Sequence, residues 1–228
     1  MTTAQGRRAT SLSVGLAFVA GYVDTVGFVA LFGLFTAHVT GNFVLIGAAL
    51  AHASGNVLLK LLVFPAFILA VAGTRLIVLV FERRKRSALR PLLALQVVLL
   101  GGFAACGWAA SPIGRADVAM ALGAGILGAT AMGVQNAAAR LALPELAPTT
   151  VMTGNVTQLV IDVVDVIRGG ADGAVRQRSV KFVWPIVAFA AGAVGGAFGY
   201  VDAGFVALLV PMLVIGWLAV TDRSPAAA

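Results

Sequence analysis

Threonine, glycine and asparagine stand side by side twice in a chain otherwise poor in polar groups. The first set is Thr40-Gly41-Asn42 and the second is Thr153-Gly154-Asn155. Each offers a hydroxyl, a permissive backbone unit and an amide. Glycine allows close approach or a left-handed backbone. Threonine or asparagine can cap a following helix, whose free N–H groups then face a cavity and favour an anion. The pair reads either as one binding site shared between two repeats or as ordinary N-caps on two short helices. Each set also follows a glycine-bearing stretch with a polar group of its own. These are Gly21-Tyr22-Val23-Asp24 before the first and Gly133-Val134-Gln135-Asn136 before the second.

Asp24 lies within an apolar run, where a carboxylate costs roughly several kcal/mol unless it is paired or neutralised. Arg75, within another apolar run, is its expected partner. Three readings stay open: a proton or cation site, a structural ion pair with Arg75, or a carboxylate bonding backbone groups at a kink. His38, just before the first set, is a packed residue or a ligand. Gln135 and Asn136 supply neutral polar lining or interhelical hydrogen bonds. Asn155, Gln158 and Asp162 follow at spacings of three and four, which puts them on one helix face. Asp165 is expected to pair with Arg168. The candidate substrate- or ion-binding residues are therefore Asp24, His38, Thr40, Gly41, Asn42, Gln135, Asn136, Thr153, Gly154, Asn155, Gln158 and Asp162. No nucleophile elbow, phosphate loop or Cys/His pairing occurs, and His38 and His52 are the only histidines. No enzyme, cofactor or metal site is expected.

These residues must be positioned by membrane-spanning helices. Of the 228 residues, 60% are hydrophobic and 11% charged, against about 25% charged in soluble domains. Charge-poor runs near 20 residues recur, long enough for roughly 30 Å of hydrocarbon. The net charge of +7 does not point to nucleic acid, because the basic residues lie between apolar runs, where they read as topology signals. Cys106, alone, reads as a buried small hydrophobe. Arg7-Arg8 before the first run resembles an export signal, but the run is long, contains Asp24 and precedes no polar domain. It is expected to remain as an uncleaved first span.

The expected spans are 12–34, 57–81, 91–110, 117–139, 182–200 and 203–220, with shorter apolar segments at 36–51 and 149–167 opened by the two Thr-Gly-Asn sets. The fold class is an all-α polytopic membrane protein: six full transmembrane helices plus two short broken or re-entrant helices. It forms a single membrane domain, 1–228, of two inverted repeats, 11–110 and 116–221. If both short segments return on the side they enter, thirteen of the 16 Lys and Arg residues fall on one face, which marks that face as cytoplasmic. Both termini are then cytoplasmic, and three crossings per half invert one half relative to the other. Broken helices in such repeats are a transporter architecture. Trp108, Trp184 and Trp217 suit interfacial anchoring.

Gly21-Tyr22-Val23-Asp24, His38-Val39-Thr40-Gly41-Asn42, Gly133-Val134-Gln135-Asn136 with Arg140, and Thr149-Thr150-Val151-Met152-Thr153-Gly154-Asn155 together resemble the signature segments of the YoaK family. The resemblance covers essentially the whole chain. The first copy carries Val39 where the pattern has Met, which keeps the apolar character. The resemblance implies a multi-pass protein of the bacterial inner membrane with a domain of unknown function, and it supplies no substrate. The residues themselves point to a small-solute or ion secondary transporter with its site between the two breaks. The alternative is a non-transporting membrane scaffold that binds a partner, with Asp24 fully paired to Arg75. The expected partners are the lipid bilayer and a small solute or ion, and a homodimer is compatible with so small a bundle.

Overall fold

A computed structural model describes residues 3–51, 57–112, 118–169 and 173–222, and its regular elements are all helical. Eight α-helices follow in order: α1 (Thr3–Ala30), α2 (Gly41–Ala51), α3 (Val57–Arg83), α4 (Leu89–Ala109), α5 (Val118–Ala142), α6 (Met152–Ile167), α7 (Gly173–Ala203) and α8 (Leu209–Thr221). A 3-10 turn, Gly204–Leu208, joins the last two. His52, the turn holding Arg115, and Arg223 lie outside the described residues, as do the side chains of Arg7, Arg176 and Arg178.

Four stretches are long and apolar enough to cross a bilayer: Arg8–Ala30, Val57–Arg83, Leu89–Ala109 and Ser179–Thr221. The chain is a multi-pass membrane protein. The two short segments remain separate helices, α2 with 11 residues and α6 with 16. At 1.5 Å per residue these reach about 16 and 24 Å, less than a bilayer core. Helix α1 ends where Phe32 and Gly33 take left-handed φ angles of 54° and 73°. Gly33 N–H then closes back on the Phe28 carbonyl, at 3.0 Å, which satisfies one of the last free carbonyls of the helix. The Lys60 ammonium, buried on α3, donates to the Phe32 carbonyl at 2.8 Å and puts a positive charge at the negative end of α1.

Helix α1 is the centre of the bundle, packed against α5, α7 and α8. It runs parallel to α7: Phe18 meets Gly192, and Tyr22 meets Gly196 one turn further on. A Cβ on Gly21, Gly192 or Gly196 would overlap a carbonyl oxygen of the opposite backbone. Small residues let two helices approach this closely where lipid provides no hydrophobic drive. Gly15 instead faces Leu218 of α8, and Gly27 faces Thr36, so the glycines six apart thin different sides of α1, as a 3.6-residue turn requires. Helices α3 and α5 are also parallel, Leu59 lying by Gly125 and Ala70 by Gly133. Helix α4 runs antiparallel to both α5 and α8: Gly102 meets Leu127 and Gln96 meets Gln135, while Gly101 faces Met212 and Gly107 faces Phe205.

The starts of α1 and α4 and the end of α8 meet at one end of the bundle. Asp222, buried just after α8, accepts from the Arg8 guanidinium, and its carbonyl accepts from Arg90. This contact ties three helices that are distant in sequence. Asp222→Ala is expected to cost about 2 kcal/mol, less than a fully buried pair because Arg8 stays about one-third exposed. A fall in the unfolding midpoint of the detergent-solubilised protein would report it, and an unchanged midpoint would show the contact to be idle.

Candidate functional site

After α1 the chain folds back along it. Asp24, buried six residues before the helix ends, lies about 9 Å below that end and accepts from the returning segment. One carboxylate oxygen takes the N–H groups of Thr36 at 2.7 Å and Ala37 at 2.6 Å, with the Thr36 hydroxyl at 3.3 Å. The other lies 2.7 Å from Nδ1 of His38. Asn42 holds the same segment: its Oδ1 accepts Phe35 N–H at 3.0 Å and its Nδ2 donates to the Phe35 carbonyl at 2.8 Å. Non-helical backbone at membrane depth has to be satisfied by protein, and Asp24 and Asn42 do this for residues 35–37. The His38 ring stands between Phe35 and Phe189, with centroids at 6.0 and 5.8 Å. A carboxylate at Nδ1 holds a hydrogen on that nitrogen. No group among the described residues bonds Nε2.

The second break repeats the pattern with neutral groups. After α5 the chain returns along that helix, so that Asn136 Nδ2 donates to Thr150 Oγ1 at 2.8 Å and Gln135 Nε2 reaches Thr149 Oγ1 at 3.4 Å. Gln135 also donates to the Leu16 carbonyl at 2.8 Å and accepts from Gln96 at 2.6 Å. Asn155 Nδ2 donates to the Pro148 carbonyl at 2.7 Å. Asn42 and Asn155 thus each bond a carbonyl seven residues upstream. Proline has no N–H to return the bond, so the second loop is clasped once where the first is clasped twice.

Several expectations need correction. Arg75 is not the partner of Asp24: it pairs with Glu82 at 3.1 Å, and both are about half exposed. Asp24 is compensated by backbone donors and His38 instead, the third of the readings left open for it. Asparagine and threonine do not cap α6. The residue before it, Val151, is extended and forms no side-chain cap, and Asn155 points back to Pro148. Thr40 and Thr153 are exposed and take no side-chain part in either loop. The hydroxyls that do are Thr36, Thr149 and Thr150. Gly41 packs under the Phe35 ring, whereas Gly154 has open space beside it. The face formed by Asn155, Gln158 and Asp162 exists, with Gln158 donating to a fully buried Asp162 at 2.8 Å. Helix α6 packs on α7.

A cavity of about 510 Å³ opens at the second break, lined by Asn136, Arg140, Thr149, Thr150, Val151 and Gly154 among others. Its polar groups are uncharged apart from Arg140, and it includes none of Asp24, His38 and Asn42. Between the breaks stand apolar residues: Ala17, Met152 and Ala188 with Phe18 and Phe189. Arg140 sits in the last turn of α5, where the sequence suggests only a helix end. Its place in the cavity depends on the returning loop, which no local pattern shows.

A family model described as "Protein of unknown function (DUF1275)" matches residues 12–221. The chain is similar to the UPF0700 transmembrane protein YoaK of Bacillus subtilis (strain 168), 32% identical over 165 residues that cover 71% of this chain and 69% of that protein. No solved structure matches.

Proposed function

The chain belongs to the DUF1275 family of transmembrane proteins, and on that premise we propose that it is a secondary transporter for a small solute or ion, not an enzyme. The observation that carries this reading is the matched clasp: two chain breaks, each folded back along its long helix and each held by an asparagine to a carbonyl seven residues upstream. We read α1–α4 and α5–α8 as two inverted halves. In support, the parallel pairs cross between halves, α1 with α7 and α5 with α3, and the antiparallel pair α4 with α5 is answered by α8 with α1. On this reading α1, α3, α4, α5, α7 and α8 cross the membrane. The asymmetry of the basic residues supports cytoplasmic termini, and in that orientation the cavity at the second break opens to the cytoplasm.

The same cavity favours an anion. The first turn of α6 has N–H groups that no side chain caps, Arg140 supplies positive charge, and no carboxylate is in the lining. The first break, closed on itself around Asp24, is the half that keeps the outer side shut.

Proteoliposomes loaded with a panel of small inorganic and carboxylate anions test this. Wild type is expected to exchange at least one of them. Arg140→Gln is expected to slow that exchange about tenfold, the loss of one charge-assisted contact. No flux across the panel, together with a Gly154→Cys variant that no membrane-impermeant thiol reagent labels at that position from either side, would sink the proposal. The scaffold reading rests on the apolar layer of Phe18 and Phe189 between the breaks, and that result would favour it.

A further inference from the structure

A second cavity, of about 350 Å³, lies between the first turns of α1 and those of α7. Leu146 borders both cavities, so the connection from α5 to α6 forms a shared wall. The sides of this second cavity are largely apolar, with Val14, Trp184 and Pro185 among them. Trp184 is half exposed, as suits a side chain at the level of lipid headgroups.

Three of the polar residues around this cavity have no hydrogen-bond or ion-pair partner among the described residues. Ser13 is 4% exposed, and its buried Oγ has no hydrogen-bond partner among the described residues. A buried hydroxyl without a partner is costly unless something else supplies one. Glu145 and Lys181 line the same cavity, and neither forms an ion pair with the other or with any described residue. One carboxylate, one ammonium and the Ser13 hydroxyl, beside a Thr10 hydroxyl already bonded to the Gly6 carbonyl, thus border a single apolar slot at an end of a membrane bundle. The slot is within the size range of small-molecule sites.

We propose that this cavity binds a phospholipid whose headgroup carries both a phosphate and a primary ammonium. Lys181 takes the phosphate, Glu145 takes the ammonium N–H groups, and Ser13 bonds an oxygen of the glycerol–phosphate region. The upper acyl chain lies along Val14, Trp184 and Pro185. A purely anionic headgroup leaves Glu145 facing like charge. A choline headgroup has no N–H to give the carboxylate, and charge-assisted hydrogen bonds are the strong ones. The proposal needs only that the chain resides in a membrane and does not depend on transport.

Native mass spectrometry of the full chain in detergent tests it, with phosphatidylethanolamine, phosphatidylcholine and phosphatidylglycerol added at equal concentration. Phosphatidylethanolamine is expected to be retained about tenfold over the other two, the worth of one such contact. Glu145→Gln combined with Lys181→Met should erase that preference. Both side chains are exposed, so this variant is expected to fold. Ser13→Ala should weaken retention while keeping the order of the three lipids. Equal retention of all three by wild type overturns the proposal, as does an unchanged preference in the double variant. Displacement of the lipid by free phosphoethanolamine would also overturn it, because the ligand would then be a soluble zwitterion.

Discussion

Gly192→Val is expected to prevent α1 and α7 from packing and to leave no folded, monodisperse protein. The added side chain would overlap the carbonyl oxygen of Phe18 and crowd its Cα. Backbone atoms of a central helix cannot rotate aside as a side-chain tip can. The neighbouring contacts, Gly21 against Phe189 and Gly196 against Tyr22, are equally close, so tilting the pair to relieve one worsens the others. Overpacking usually costs about 1–3 kcal/mol, and a backbone-to-backbone clash belongs at or beyond the top of that range. Even Gly192→Ala should fail at 37 °C, whereas Gly216→Ala, with nothing within 4 Å, should be neutral or stabilising by about 0.5–1 kcal/mol. Size-exclusion profiles and unfolding midpoints in detergent compare the three. A wild-type profile for Gly192→Val would mean that the close α1–α7 approach is not what holds this bundle.

Asp24→Leu is expected to release the segment between α1 and α2. The change removes the acceptor of two buried N–H groups and the partner of His38 together. Each orphaned buried donor costs about 1–3 kcal/mol, and no water replaces the carboxylate in a hydrocarbon-depth loop. A total of about 3–5 kcal/mol follows, in the range for breaking a buried charged pair. Asp24→Asn should be milder, because its amide oxygen still accepts from Thr36 and Ala37 while its NH₂ meets a His38 that must turn acceptor. Arg75→Gln is the contrast: its contact with Glu82 is about half exposed, and exposed pairs are worth about 0–1 kcal/mol. Hydrogen exchange at Thr36 and Ala37 reads the loop directly. Protection that survives Asp24→Leu would remove Asp24 from this role, and a large effect of Arg75→Gln would restore the ion pair.

The carbonyl clasp shows how far a single sequence can be followed. The doubling of Thr-Gly-Asn is visible in the chain, and so is its link to Asp24 and to Gln135-Asn136. Which member of each triplet does the bonding is not visible. Asn42 and Asn155 turn toward carbonyls seven residues back, and Thr40 and Thr153 turn outward, because the loop path decides which side chain meets an unpaired carbonyl. The rule that buried charges seek charges matches Asp24 with Arg75. Two backbone N–H groups and an imidazole answer the same electrostatic need, and they become available only when the chain folds back.

The order and type of the helices, the two short segments, the membrane setting and the family are all written in the linear pattern of apolar runs, glycines and basic clusters. Helix formation and burial in lipid respond to composition over 10 to 25 neighbouring residues, so a local reading recovers them. The partners of Asp24, the place of Arg140 in a cavity, the unpaired Ser13 hydroxyl and the contact of Arg8 and Arg90 with Asp222 come from the tertiary structure alone. Each joins residues separated by a loop return or by most of the chain, and a hydrogen bond depends on distance in space, to which position along the chain is no guide.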